Sequence, residues 1–413
     1  MDHKDKVIKK CRLCFSSKLE KVNDFGKVAL GNNLHKNYKD AIKAKSYPLC
    51  LVRCIQCNHF QLNFSVNPIN LYAKNYTYTS SIGASFVTHL KKSADDILDY
   101  CEKIKETHKV IDIGSNDGTA LLPFKDRGNL VLGVDPAKTP SEMANKKKIK
   151  TINNFFSKRL SDEILAKYGY FDIVISHNVL AHIEDIHDVF NGINNILKEG
   201  GLLVFEIGYF RSLIENTIFD TIYHEHLDYH TKKPLVKFLT KKGFSIEQIK
   251  ENNVQGGSLR FYCKKIDNLQ VSQELKTQLQ NETDYLNRKR IENWRNQIYV
   301  NIDNIKSMIV STINLGGNIY GFGAPTKATL ILKMFGHLSD NIKLIVDDNH
   351  LKVNKYTSTS AIKISSHFPK NMSNKDMIIC FAWNFYDEIF NKLKDTDAKG
   401  YFINVNTAER RIL

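Results

Sequence analysis

The run Val110-Ile111-Asp112-Ile113-Gly114-Ser115-Asn116-Asp117-Gly118 constrains this chain more than any other stretch. A short apolar strand ends in a tight turn of small and polar residues, and a helix follows from Thr119 to Phe124. Such a unit belongs at the head of a parallel α/β sheet, where the amides of a helix N-terminus point at a ligand. One strand later, Leu130-Val-Leu-Gly-Val-Asp135 puts a carboxylate at a strand end, spaced to receive ribose hydroxyls. A dinucleotide fold asks for Gly-x-Gly-x-x-Gly, whereas Gly114 and Gly118 bracket Asn116-Asp117, polar groups where a pyrophosphate needs bare backbone. The pattern favours S-adenosylmethionine over NAD, with Asp112, Gly114, Asn116, Asp117, Gly118 and Asp135 as its site. An unrelated strand-turn-helix unit is the alternative that the glycines alone leave open.

Strand and helix alternate from there: strand 109–113, helix 119–126, strand 130–135, helix 140–147, strand 149–152, helix 157–168, strand 171–176, helix 185–198, strand 201–207. A helix at 234–242 and strands at 244–251 and 258–264 close the series. This implies a parallel sheet covered on both faces and ended by a strand pair, the layout of class I methyltransferases. An amphipathic helix from Ile82 to about Thr107 leads in. Residues 268–313 read as one or two long helices, with Leu286, Ile291, Trp294, Ile298, Val300, Ile305 and Ile309 at approximate helical spacing. Their heptad is irregular, so packing between two domains is expected ahead of a coiled coil. Then Tyr320-Gly321-Phe322-Gly323-Ala324-Pro325-Thr326-Lys327 repeats the strand-turn-helix device and opens a second α/β unit, with strands at 343–347, 377–382 and 401–404 and a helix at 385–394. Its turn suits a phosphate group, which Lys327 and the backbone would meet, or is a purely structural bend.

Ahead of both units lie Cys11-Arg-Leu-Cys14 and Cys54-Ile-Gln-Cys57. Each pair sets two sulfurs at the bite of a zinc knuckle, and two knuckles complete a tetrahedral site with no open position, hence a structural one. A redox dithiol or core cysteines are the alternative. Cys50, Cys101, Cys263 and Cys380 read as buried thiols of a cytoplasmic protein. At 413 residues the chain outgrows a single core. The expected division is a zinc module (1–70), a linker and helix contributing to the active site (71–108), a methyltransferase domain (109–266) and a C-terminal α/β domain (267–413). The fold class is α/β: a small zinc module, a Rossmann-like class I methyltransferase domain and a C-terminal Rossmann-like domain. No apolar run is long enough to span a bilayer, and the first residues lead to no signal-peptide core, so a cytoplasmic location is expected. The net charge of +15 is spread over dispersed lysines, which reads as a solvated surface rather than a nucleic-acid or membrane patch.

The chain resembles, over nearly its whole length, the sugar C-methyltransferases that act on nucleotide-linked 4-keto-deoxysugars. The resemblance rests on the two cysteine pairs, Tyr-x-Tyr-x-Ser-Ser at 76–81, Gly-Ser-Asn-Asp-Gly at 114–118 and Asn178-Val-Leu-Ala-His182. It extends to Tyr223-His-Glu-His226, Gly256-Gly-Ser-Leu-Arg260, the turn at 321–327 and Ala382-Trp-Asn384. It implies that the zinc module and the C-terminal half close over the methyltransferase domain with the sugar nucleotide between them. It adds Asn178 to the cofactor residues, places Gly323, Lys327 and Asn384 on the sugar nucleotide, and brings Tyr76 or Tyr78 to the active site. After Tyr-His-Glu-His this chain reads Leu-Asp-Tyr-His230, where relatives carry an aromatic-Ser-Tyr-aromatic run.

Moving a methyl group from sulfonium to carbon requires a carbon nucleophile, which a neighbouring keto group provides once an alpha proton is removed. The site then needs a base and donors for the enolate oxygen. His226 suits the base, with Glu225 as its orienter or the alternative base; His182 and Tyr223 suit the donors. C3 is favoured over C5 as acceptor. Other readings stand beside these. His182 is also a plain loop histidine beside an apolar run, and Tyr76 and Tyr78 could cap an apolar patch. His224, Glu225, His226 and His230 tempt a metal reading, but a His-Glu-x-x-His site would need histidine where Asp228 stands. A nucleic-acid methyltransferase would have an Asn-Pro-Pro-Tyr-type run where Ser176-His-Asn-Val-Leu stands, and would leave the C-terminal unit idle. A non-catalytic sugar-nucleotide-binding protein would have no use for the polar cluster at 223–226. The expected ligands are S-adenosylmethionine, a structural zinc ion and a nucleotide-linked keto-deoxysugar, with neither nucleic acid nor membrane.

Overall fold

The structure is a computed structural model that describes residues 4–73, 79–81, 83–101, 107–266 and 271–413. Tyr76 and Tyr78 therefore lie outside the described residues. At the centre stands a seven-stranded sheet in the spatial order Phe244–Asn252, Ser258–Lys265, Leu197–Gly208, Phe171–His177, Lys109–Ile113, Leu130–Asp135, Thr151–Asn153. The five strands of the alternating region are parallel, and the last pair runs antiparallel, as the strand-helix spacing requires. The chain reverses its direction of winding beside Lys109–Ile113, which opens a crevice at the carboxyl ends of that strand and of Phe171–His177. Both faces are covered, so these strands read as nearly unbroken apolar runs such as Val110, Ile111 and Ile113. The helix expected at 119–126 is confined to Leu122–Asp126, with Pro123 in its first turn and the preceding residues held in the turn.

The zinc module carries a four-stranded sheet in the order Asp228–Tyr229, Phe60–Leu62, Ser46–Cys54, Leu19–Ala29. Its edge strand is borrowed from the insert of the methyltransferase domain: Asp228 pairs with Gln61 and Tyr229 with Phe60. The C-terminal unit has six strands in the order Ile364–Ser365, Ile342–Val346, Ile319–Phe322, Met377–Cys380, Tyr401–Asn404, Arg410–Ile412. Its two edge strands span two and three residues, too short for an apolar alternation to be legible in the sequence.

Between these bodies runs the helix Arg288–Asn314, preceded by Gln273–Tyr285. Asn287 caps the longer helix by accepting a hydrogen bond from the Arg290 amide. Ile291, Trp294, Ile298, Ile302, Ile305 and Ile309 face inward and share one core with Val22, Phe25 and Val28 of the zinc module and Ile331 and Phe335 of the C-terminal unit. The Trp294 indole N–H donates to the Ile218 carbonyl at 3.2 Å. Packing between domains is thus what this helix does. Val300, expected on its apolar face, is 50% exposed, and Ile302 takes the inward place. Leading into the sheet, Ala84–Cys101 is fastened by a buried cluster: Glu206 accepts from Arg260 Nε at 3.0 Å and lies 2.7 Å from His89 Nε2. Ile305→Ala should destabilise the protein by about 2–5 kcal/mol, the range for a buried isoleucine, and Val300→Ala by less than about 0.5 kcal/mol. Denaturant unfolding of both variants checks this, and equal losses would mean that the helix does not pack as described.

Candidate active site and zinc knuckles

At the head of the central sheet the turn depends on left-handed backbone. Gly114 and Gly118 have φ of 77° and 79°, and Asn116 and Asn178 have 50° and 55°, a region that glycine and asparagine tolerate best. A Cβ on Gly114 would stand 2.3 Å from Val179 Cγ2. Asp135 pins the turn: its carboxylate accepts from the Asn116 amide at 2.9 Å and the Ala137 amide at 2.8 Å. Ser80 donates its amide to Asn116 Oδ1 at 2.9 Å, which brings the chain just beyond Tyr78 down onto the turn. Burial works against ionisation of Asp117, yet hydrogen bonds from Ser81, Thr119 and Lys147 hold its carboxyl below the ordinary range. Asp112 lies beneath, held well above the ordinary range by burial and by Asp135. Asp112 Oδ1, Ser115 Oγ, His177 Nδ1 and Asn178 Nδ2 are buried without a partner among the described residues. Four orphaned polar atoms around a glycine turn fit a polar, hydroxyl-rich ligand such as an adenosyl group.

The four knuckle sulfurs, of Cys11, Cys14, Cys54 and Cys57, lie within 4.8 Å of one another. Cys11 and Cys57 are 3.5 Å apart, Cys14 and Cys54 3.6 Å. Thiolates about 2.3 Å from a tetrahedral zinc stand about 3.8 Å apart, so the donor set fits that ion. Burial pushes Cys14 up to about 11, against hydrogen bonds from Ser16 and Cys57, so a metal held by this thiol displaces its proton. Among the described residues this is the one cluster of metal-ligating groups. The metal reading at 224–230 finds no support: His224 Nε2 sits on the Tyr47 carbonyl at 3.2 Å, and His230 packs on the His59 ring at 5.5 Å.

Arg12, between the first two cysteines, grips Asp228 with Nε at 2.9 and 3.0 Å from the two carboxylate oxygens and sends Nη2 to the Ile183 carbonyl. His59 Nε2 lies 2.8 Å from the same carboxylate. The departure from relatives at Leu-Asp-Tyr-His230 therefore faces the zinc module. Burial disfavours the Asp228 carboxylate, but Arg12 and His59 hold it down to about 2.

The insert loop and the loop after Phe171–His177 meet beyond the strand ends, joined by the Leu227 amide on the Ala181 carbonyl at 2.7 Å. There the rings of His182 and His226 stand edge to face, 4.8 Å apart. The Tyr223 hydroxyl is 2.9 Å from His226 Nε2, and His226 Nδ1 is 2.8 Å from the Thr221 carbonyl. A carbonyl only accepts, so Nδ1 carries the proton and the Nε2 lone pair faces Tyr223. Burial pushes His226 down to about 4 and, with His226 beside it, His182 down to about 3. Both rings are neutral near pH 7. The Tyr72 hydroxyl, 3.1 Å from His182 Nδ1, donates to the Glu225 carbonyl at 3.0 Å. The Glu225 side chain points elsewhere: Oε1 accepts from Asn32 Nδ2 at 2.7 Å, and Asn32 Oδ1 accepts from Thr326 Oγ1 at 2.6 Å. Burial raises this carboxyl to about 7 although Asn32 pulls it down.

On the C-terminal side, Gly323 has φ of 81°, and Asp347 accepts the Ala324 amide at 2.7 Å, the same device as Asp135 under the first turn. Lys327 Nζ donates to Asn384 Oδ1 at 2.6 Å, lies 3.5 Å from Asp220 and 3.8 Å from the centre of the Trp383 ring. The Trp383 indole N–H in turn donates to Asp220 at 2.6 Å. His182, Tyr223 and His226 are thus brought together, Glu225 joins them by its main chain while its side chain faces Asn32, and the Lys327 cluster lies across the junction. Asn32, Tyr72, Thr326, Asp220 and Arg12 were not singled out from the sequence. A Gly-Asn-Asn turn at 31–33 was its sole sign at Asn32.

Three family models match consecutive parts of the chain: "Putative zinc binding domain" over 11–72, "Methyltransferase domain" over 86–249 and "C-methyltransferase C-terminal domain" over 253–405. The chain is 29% identical to the C-methyltransferase NovU of Streptomyces niveus, over 98% of its own length and 97% of the relative's. It is 33% identical to a ubiquinone biosynthesis O-methyltransferase of Bartonella tribocorum over 23% of its length and 39% of that protein. Among solved structures, the magnesium protoporphyrin IX methyltransferase of Synechocystis with bound SAM matches 44% of this chain and 81% of its own, at 18% identity and a TM-score of 0.33.

Elemental analysis of the purified protein should find one zinc per chain, and Cys54→Ser should lose it and destabilise the N-terminal module. A zinc content well below one would overturn this assignment. Glu225 gives a second expectation. Its carboxyl is raised in the folded state, so the unfolded chain releases the proton first, and stability falls as pH rises from the ordinary carboxylate range to about 7. Glu225→Gln should therefore be more stable than wild type at pH 8, by up to about 3 kcal/mol, and no more stable at pH 4. Thermal unfolding at both pH values reads the difference.

Proposed function

We propose that this chain, which belongs to the C-methyltransferases built from a zinc-binding, a methyltransferase and a C-terminal domain and which uses S-adenosylmethionine and a structural zinc, methylates a nucleotide-linked 4-keto-deoxysugar at a carbon alpha to the keto group, C3 ahead of C5. One observation carries the reading: a half-buried cluster of His182, Tyr223 and His226 adjoins Glu225, which Asn32 links to Thr326 in a second glycine turn with its own lysine, Lys327, at the junction of all three domains. When bound, the cofactor supplies an electrophilic methyl group. The protein's own task is to make the acceptor carbon a nucleophile.

On this reading Asp112, Asn116, Asp117, Asn178 and Asp135 hold the adenosyl part. The turn at Gly323, with Lys327 and Asn384, meets the diphosphate, where a cation beside backbone amides suits a dianion. His226 is the base, neutral and with its Nε2 lone pair already on the Tyr223 hydroxyl. The alpha proton passes to the Tyr223 oxygen as the phenolic proton moves to Nε2. Both histidine rings are half-buried, which limits the water that competes for the charge on the enolate oxygen. A second reading makes Glu225 the base, because a carboxyl raised to about 7 matches the pH at which it would work better than an imidazole pushed down to about 4.

Solvent exchange separates the two. Wild type should exchange the sugar's alpha proton with deuterated water without a methyl donor, and His226→Ala should lose about 10²–10⁴-fold in that rate while binding both ligands almost normally. Exchange that persists in His226→Ala and vanishes in Glu225→Gln would transfer the role to Glu225.

A further inference from the structure

Glu225 is reached from two directions by residues that lie far apart in sequence. Asn32 sits in the turn after Leu19–Ala29, and its amide is engaged at both ends: N–H to Glu225 Oε1 at 2.7 Å, oxygen to the Thr326 hydroxyl at 2.6 Å. With the amide N–H on the Glu225 oxygen, the amide oxygen faces the threonine hydroxyl, which then has to donate. The turn cannot back away. A Cβ on Gly31 would stand 2.1 Å from the Thr326 carbonyl oxygen, so the main chains of the first and last domains touch there. Beside it His35 and Tyr356 exchange backbone hydrogen bonds at 3.0 and 2.8 Å, and Ser358 donates to the Asn33 carbonyl at 2.5 Å. Asn32 is thus anchored to the C-terminal unit while it holds a side chain of the methyltransferase domain. Thr326 is the residue before Lys327, within the second glycine turn.

We infer that Asn32 is a positioning residue: with Thr326 it aims the Glu225 carboxylate across the junction, so that the turn receiving the sugar nucleotide also sets the geometry of the proton-transfer loop. This rests on the second reading above, in which the Glu225 carboxylate takes the alpha proton. Asn32 touches neither reacting atoms nor cofactor in this scheme and acts through Glu225. Its loss should then lower the maximal rate with little effect on binding, and should do nothing further once Glu225 is altered.

The test measures alpha-proton exchange in deuterated water, by proton NMR, at varied concentrations of whichever of the dTDP- and GDP-linked 4-keto-6-deoxyhexoses binds the wild type. Asn32→Ala should lower the saturating rate by about 10–100-fold, the usual loss when an orienting partner is removed, with the half-saturating concentration within about threefold. Asn32→Asp, which sets a like charge against Glu225, should lose more than Asn32→Ala. Thr326→Val should fall in the same direction by less, and Asn32→Ala/Glu225→Gln should be no slower than Glu225→Gln alone. Wild-type-like exchange in Asn32→Ala, a change confined to half-saturation, or losses that multiply in the double variant would each overturn the inference while leaving the proposed reaction standing. Failure of the wild type to bind either sugar or to exchange its proton would remove the reaction and the inference together.

Discussion

The buried pair of Arg12 and Asp228 is the interaction on which the site depends. Arg12 belongs to the first zinc knuckle, Asp228 follows His226 by two residues, and the same guanidinium holds the carbonyl next to His182. A buried ion pair rarely adds much net stability, because desolvating both charges offsets their attraction; its value lies in direction. Here it fixes which face of the zinc module meets the methyltransferase sheet, and the borrowed strand at Asp228–Tyr229 adds backbone bonds in the same register. Four thiolates leave zinc no vacant position for chemistry, while Arg12, within the knuckle, ties together the two loops that carry histidines.

That arrangement makes the active site a property of the assembly rather than of the sheet. The methyltransferase domain alone does not supply the Asn32 amide that pairs with the Glu225 carboxylate, or the Thr326 hydroxyl that holds that amide, and without Asn32 a buried acid would lose its partner. The two glycine turns solve one problem twice, each pinned by a carboxylate from the next strand's end, Asp135 or Asp347. They differ in what surrounds them. The first is lined by orphaned polar atoms, while Asp347 in the second already has Lys352 at 3.2 Å.

Periodicity and glycine placement made most of the architecture legible. The alternation from Lys109 to Gly208 predicted the parallel strands, because the central ones, Lys109–Ile113, Phe171–His177 and Leu197–Gly208, are apolar on both faces. Elements whose stability comes from elsewhere were invisible: Asp228–Tyr229 is a strand only because Phe60–Leu62 lies beside it, and Ile364–Ser365 has two residues. The site divides along the same line. Chemistry-rich runs such as Tyr223–His226 announce themselves, whereas Asn32 is an ordinary amide in a turn whose partners stand 193 and 294 residues away. Val300 was assigned by spacing to a face that the observed rotation of the helix gives to Ile302.

The helix Arg288–Asn314 has a consequence for how the chain becomes a protein at all. Val22, Phe25 and Val28 emerge among the first residues, but the isoleucines that cover them, up to Ile309, are encoded some 280 residues later. At about 5–20 residues per second, the apolar side of the first module waits roughly 15–60 s for its cover. Zinc bound early at the knuckles would hold one end of that module in shape, while its other side stays open to wrong partners until the last third of the chain arrives. The first module thus gains its cover only after a helix encoded far downstream has been made.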